Sequence, residues 1–210
     1  MKKIVAMMLA LMMVLGMASF AGAEGGQVAN TMFGGGTPLT MDPALNSASV
    51  SGNYIRSSFV GLMGHSFDAD GKVVLSPELA EKVDVSADGL TYTFTLRAGL
   101  KWSDGSDFKA SEVASSWNRA ASPELGADYG FLFDYIAKNE DGTLNVVTDD
   151  AAGTVVVTLV NPCAYFLNLC AFTTFYPIKV ELADNQGTWA TNPETYIGTG
   201  PFKMTKYAVD

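Results

Sequence analysis

Asp88-Gly-Leu-Thr-Tyr-Thr-Phe-Thr-Leu-Arg97-Ala-Gly-Leu-Lys-Trp-Ser-Asp-Gly105 reads as a turn, a strand, a loop and a second turn. Leu90, Tyr92, Phe94 and Leu96 are large and apolar, and Thr91, Thr93 and Thr95 stand between them. A period of two puts the apolar set on one face and the threonines on the other, so the strand is buried on one side. Ahead of it, Ala87-Asp88-Gly89 supplies a hairpin turn back to Val83 and Val85, which alternate with polar neighbours in the same way. Ser103-Asp104-Gly105 closes the run as another turn. No catalytic group lies in this stretch.

Outward from this core the elements are mixed. Gln27 to Phe33 reads as a strand feeding the loop Gly34 to Gly36, and Thr40-Met-Asp42-Pro43 as a turn. Asn53 to Gly61 carries Tyr54, Ile55, Phe59 and Val60 on one side of a short helix, with Asn53 suited to cap it. Val73 to Leu75 reads as an edge strand. Val113, Ser116, Trp117 and Ala120 recur at helical spacing, which predicts a helix over Ala110 to Ala121, ending before Pro123. Leu144 to Thr148 and Thr154 to Val160 form two strands around the turn Asp149 to Gly153. Ile178 to Gln186 reads as a helix closed by Gly187. Gly198-Thr-Gly-Pro201 is a tight turn before a last strand, Phe202 to Tyr207. Strands and helices without regular alternation predict a mixed α/β (α+β) fold.

Lys2 and Lys3 precede an uncharged run, Ile4 to Phe20, and Ala21-Gly22-Ala23 matches the small-x-small site of an export signal. The run is short for a spanning helix, which needs about 20 apolar residues. Residues 1–23 are therefore expected to be a cleaved signal peptide, and the mature chain to begin near Glu24, outside the cytoplasm. A lipoprotein needs a cysteine at the cleavage point, and the cysteines are Cys163 and Cys170, so lipid attachment there is excluded. The chain carries 13 Lys+Arg against 22 Asp+Glu, a net charge of -9, and loss of Lys2 and Lys3 makes it more acidic. Such a surface repels nucleic-acid phosphates and anionic lipid. Pro162 suits the start of a short buried helix over Cys163 to Ala171. On a helix the two sulfurs would stand roughly 10 Å apart along the axis, which favours free, buried thiols. A disulfide requires the segment not to be helical.

Chemistry is sparse. His65 is the single histidine, beside Gly64 and Ser66, and no Gly-x-Ser-x-Gly elbow accompanies it. Asp68, Asp70 and Gly71 lack the rest of a calcium loop, and Gly34 to Gly36 lacks the Lys-Ser/Thr of a phosphate loop. Expectations follow: no catalytic residue, no metal, no cofactor. The aromatics, including Trp102, Trp117 and Trp189, are the remaining resource, as core or as cleft lining.

Seven segments in order resemble the oligopeptide- and dipeptide-binding proteins of bacterial ABC importers, the family 5 extracytoplasmic solute-binding proteins. They are Thr40 to Pro43, Asn53 to Leu62, Pro77 to Glu81, Asp88 to Gly105, Ala110 to Arg119, Pro162 to Phe175 and Gly198 to Phe202. Val60 stands where the family usually has Glu, and Lys109 where a capping Thr is common. The resemblance implies a periplasmic-binding-protein-like type II clamp of two lobes. Residues 24–62 and 173–210 would form a discontinuous first lobe, and residues 63–172 the family's extra small domain. The second lobe is absent from this sequence, which reads as an N-terminal fragment. The implied function is capture of a solute, an oligopeptide before others, by a monomeric receptor that delivers it to ABC permease subunits. The alternatives are a nickel complex, haem or an oligosaccharide as solute, or an exported hydrolase using His65. By position, the cleft-facing loops are Ser49, Val50, Ser51, Gly52 and Asn53, the Tyr129 to Phe131 region, and Phe172, Thr173 and Thr174.

Overall fold

The computed structural model describes residues 36–208. The export signal, its cleavage site and the expected strand Gln27 to Phe33 lie outside the described residues. The elements in order are α1 (Ser49–Ser58), β1 (Met63–Phe67), β2 (Val73–Pro77), β3 (Ala80–Val85), β4 (Thr91–Leu96), α2 (Ala110–Ala121), β5 (Val146–Asp149), β6 (Thr154–Thr158) and α3 (Phe166–Leu169). Short 3-10 turns occupy Gly130–Tyr135, Thr173–Phe175, Val180–Leu182 and Thr188–Thr191. The fold is mixed α/β, as the element pattern predicts.

The alternating stretch is β4, and every second residue of it is buried. It lies inside a four-stranded antiparallel sheet of order β3-β4-β6-β5. Phe94 pairs with Val83 on one side and Val155 on the other, and Tyr92 with Val85 and Val157. Full burial of Phe94 contributes about 3 kcal/mol. Helix α2 packs against β5 and β6 through its buried stripe of Ala110, Val113, Ser116, Trp117 and Ala120. Trp117 meets Phe175 edge-on at 5.2 Å and gives its indole N–H to the Phe175 carbonyl at 2.8 Å. Phe175 in turn stacks on Phe133 at 4.2 Å.

The start of α2 shows why the quoted stretch and the helix behave as one unit. Lys109 has no side-chain acceptor, so it cannot cap as Thr would. Glu112 accepts the Lys109 backbone N–H at 2.6 Å, and its carboxylate also accepts the Trp102 indole at 2.9 Å. Asp150, from the β5–β6 turn, accepts both the backbone N–H and the hydroxyl of Ser111. Two carboxylates thus replace the missing cap.

Several expectations need correction. Helix α1 begins at Ser49, before the expected Asn53, because Asn46 accepts the Ala48 N–H at 3.1 Å and turns the chain into the helix early. Asn53 is therefore inside the helix, not its cap, and Ser49 to Asn53 is helical, not a loop. Ile178 to Gln186 is not a helix: the Asp184 carboxylate collects the N–H groups of Gln186, Thr188 and Trp189, leaving one 3-10 turn at Val180–Leu182. Gly187, with φ of 73°, precedes the Thr188–Thr191 turn and closes no helix. Within Cys163 to Ala171 only Phe166–Leu169 is helical, yet both cysteines are buried and free. Val73 to Leu75 belongs to β2, whose partner is β1, a strand the pattern did not announce. Phe202 to Tyr207 forms no ladder among the described residues.

One buried polar centre joins segments far apart in sequence. Asp42 is fully buried and Arg119 is 8% exposed, with Nη2 2.8 Å from Oδ2. Asp42 also accepts the Ala44 N–H and the Trp189 indole N–H, at 2.9 and 2.8 Å. Arg119 donates further to the Asp184 carbonyl at 2.6 Å. The Gly198 to Pro201 turn fixes the other end of α1. Gly200 donates to the Ser58 carbonyl at 2.8 Å and Phe202 to that of Ser57 at 3.0 Å. A Cβ on Gly198 or Gly200 would collide with the Ser58 backbone, so glycine is required by packing.

Candidate functional site: the helix α1 end and its aromatic shelf

Helix α1 packs against the Thr173–Phe175 turn. Ser51, Gly52, Thr173 and Thr174 are buried at this junction, and Asn46 donates to the Thr173 hydroxyl at 3.5 Å. Ser51 Oγ and Thr174 Oγ1 are buried without a hydrogen-bond partner. An unanswered buried hydroxyl costs about 1–3 kcal/mol, so a fold that keeps one on each of two packed elements holds polar capacity for something beyond itself. The start of α1 adds to it. The N-cap is Ala48, no side chain caps the first turn, and no acid stands in it. Its free N–H groups and positive dipole end suit a carbonyl or carboxylate oxygen.

Phe172 carries the chain from this junction into an aromatic shelf. Its ring meets Tyr129 edge-on at 5.1 Å, and Tyr129 lies 6.2 Å from Phe131. Phe131 is 59% exposed, so the shelf opens to solvent. Asn46 thus stands between Gly52 and Thr173 at the junction, and separately Tyr129, Phe131 and Phe172 form the shelf, with the Phe172–Thr173 bond joining the two. Val50 is half-buried, and Ser49 and Asn53 are exposed on the same helix. Sequence reasoning missed Asn46, whose signal was an Asx residue just ahead of a helix start. It also missed Tyr135 and Tyr165, exposed rings that meet edge-on at 5.6 Å.

His65 is exposed on β1 and lines a recess with Arg56, Phe59, Val60, Gly64, Glu78 and Tyr176. Burial raises the Glu78 carboxyl and pushes the Tyr176 phenol up to about 12. No serine, threonine or cysteine lines this recess. Asp68 accepts the N–H groups of Asp70 and Lys72 in a plain turn. Among the described residues no group of three His, Cys, Asp or Glu is placed to hold a metal ion.

Residues 74–210 match the sequence model of the bacterial extracellular solute-binding proteins, family 5. The chain belongs to this family. It is 38% identical over 180 residues to the oligopeptide-binding protein OppA of Bacillus subtilis, a match covering 81% of this chain and 32% of that protein. It is 30% identical over 181 residues to the dipeptide-binding protein DppE of Bacillus subtilis, covering 82% and 32%. The solved structure of Listeria monocytogenes OppA bound to peptide superimposes with a TM-score of 0.70 at 31% identity, covering 80% of this chain and 34% of that one. This family 5 chain therefore spans about a third of the length of the relatives it matches. Its mixed α/β fold is that of the periplasmic oligopeptide-binding proteins.

Proposed function

We propose that this family 5 chain contributes to an exported receptor that captures oligopeptides and delivers them to an ABC permease. The observation that carries the reading is the likeness to proteins named for peptide binding, set beside a surface of the matching chemistry. Peptides offer backbone carbonyls and a carboxylate, which the uncapped start of α1 and the unpaired hydroxyls of Ser51 and Thr174 can answer. Their side chains vary, and an open shelf of Tyr129, Phe131 and Phe172 accepts varied apolar groups without demanding one shape. The ten residues expected from the sequence are the ligand-facing set in this reading.

The division into residues 24–62 plus 173–210 and residues 63–172 belongs to the same proposal. The whole sheet β3-β4-β6-β5 and helix α2 fall within 63–172. Phe59 packs on Tyr196 at 4.9 Å and on Trp189 at 6.3 Å, tying the two halves of the outer segment. The receptor is a non-enzymatic monomer, exported to the periplasm or beyond with cleavage near Ala23, and carries no lipid, cofactor, metal or nucleic acid. No described helix is long and apolar enough to cross a membrane.

The test is calorimetric titration of the purified chain with oligopeptides, maltooligosaccharides and nickel chelates, paired with thermal melts. Peptides should give saturable heat and raise the melting temperature, and the other solutes should not. Saturation by a sugar or a nickel chelate, with peptides inert, would overturn the peptide reading.

A further inference from the structure

Four of the ten large apolar side chains exposed among the described residues share one site. Phe131, Tyr135, Val160 and Tyr165 are 37% to 59% exposed, and all four line one groove of about 430 Å³. The groove runs between the Gly130–Tyr135 turn and the segment 160–165. Its walls are tied together. Val160 donates its N–H to the Tyr135 carbonyl at 2.9 Å, and the Tyr165 hydroxyl donates to that of Tyr135. That bond pushes the Tyr165 phenol up to about 12, so the ring stays neutral. The floor is held from behind, where the Cys163 carbonyl accepts the Tyr92 hydroxyl at 3.2 Å.

The lining holds one charged side chain, Asp134, and no Lys, Arg or His. Asp134 faces Lys138 at 3.5 Å, with both side chains more than half exposed. Such a pair is weak and exchanges readily with water or another cation. Ring faces and a carboxylate both attract positive charge, and a guanidinium can stack on the one while hydrogen-bonding the other.

We propose that this groove receives an arginine side chain of a bound peptide, stacked on the Tyr135–Tyr165 pair and bonded to Asp134. Phe131 belongs to both the groove and the shelf, so the groove continues the peptide surface, and the proposal rests on the peptide-receptor reading. It narrows the solute class to peptides with a basic residue at one position.

The experiment is calorimetric titration of the full chain with alanine peptides carrying one arginine or one citrulline at successive positions. Citrulline keeps the shape of arginine, drops the charge and exchanges one amino donor group for a carbonyl acceptor. Arginine should bind about tenfold tighter than citrulline at one position. The preference should vanish in Asp134→Asn and in Tyr165→Ala. Because the chain carries a net charge of -9, any cation is attracted. Asp134→Asn changes a single charge, so parity in that variant assigns the preference to the groove. Equal binding of arginine and citrulline at every position, or a preference that survives Asp134→Asn, overturns the groove and leaves the peptide reading standing. Failure of every peptide to bind overturns both. The arginine–citrulline comparison on the unsubstituted chain needs no variant to fold.

Discussion

Replacing Arg119 by methionine should destabilise this protein far more than a surface charge would. The guanidinium makes two bonds to Asp42, at 2.8 and 3.3 Å, and one to the Asp184 carbonyl at 2.6 Å. Methionine keeps most of the stem and removes all three. Asp42 then remains fully buried, with only the Ala44 N–H and the Trp189 indole as donors to its carboxylate. Removing one member of a buried ion pair costs about 3–5 kcal/mol, because the remaining charge stays desolvated. For a chain of this size the melting temperature should fall by about 6–20 °C. Urea unfolding followed by tryptophan fluorescence measures it, with Trp189 reporting directly beside Asp42. The double variant Asp42→Asn with Arg119→Met should lose less than the sum of the single losses, with a coupling of about 2 kcal/mol or more. A loss below about 1 kcal/mol for Arg119→Met, the range of a surface pair, would refute the reasoning. So would strict additivity of the two substitutions.

Three further outcomes follow from the same structure. Lys179 and Ser106 hold the Asp104 carboxyl well below its ordinary value of 3.8, so the stabilisation they give is complete above that pH and disappears as the pH falls through the depressed value. Lys179→Met should cost about 1 kcal/mol or less at pH 7, Asp104 being partly exposed, and the gap to the parent should close on acidification in urea melts taken across pH 7 to 2. Gly198→Ala and Gly200→Ala push a Cβ into the Ser58 backbone and should each cost about 1–3 kcal/mol; melts that match the parent would show that the turn yields freely. Cys163 and Cys170 are free and buried, and burial raises the Cys170 thiol well above its usual range, so a thiol reagent should be inert toward the native protein and label both in denaturant; labelling of neither after unfolding would reveal a disulfide.

Several features of this protein are legible in its sequence because their cause is local. The Thr/apolar alternation of residues 90–96 makes β4 wherever it is placed, since period two needs only one buried face. The stripe of Val113, Ser116, Trp117 and Ala120 delimits α2 to the residue. The turns at Ala87 to Gly89 and Asp149 to Gly153 are written in residues that bend the backbone cheaply. Tertiary contact decided the rest. Asp184 looks like a helix residue, and becomes a collector of backbone N–H groups because Arg119 reaches its carbonyl and Trp189 sits beside Asp42. Helix α1 begins early through Asn46, whose own amide is anchored on Thr173 far along the chain. Tyr129 and Phe172 are singled out from sequence only as separate loops, and Tyr135 and Tyr165 not at all; each pair meets only when the turns that carry them fold against one another. Local periodicity fixes which face of an element is apolar. Which elements share a surface depends on burial and on charges paired across long separations, and no window of sequence contains both partners.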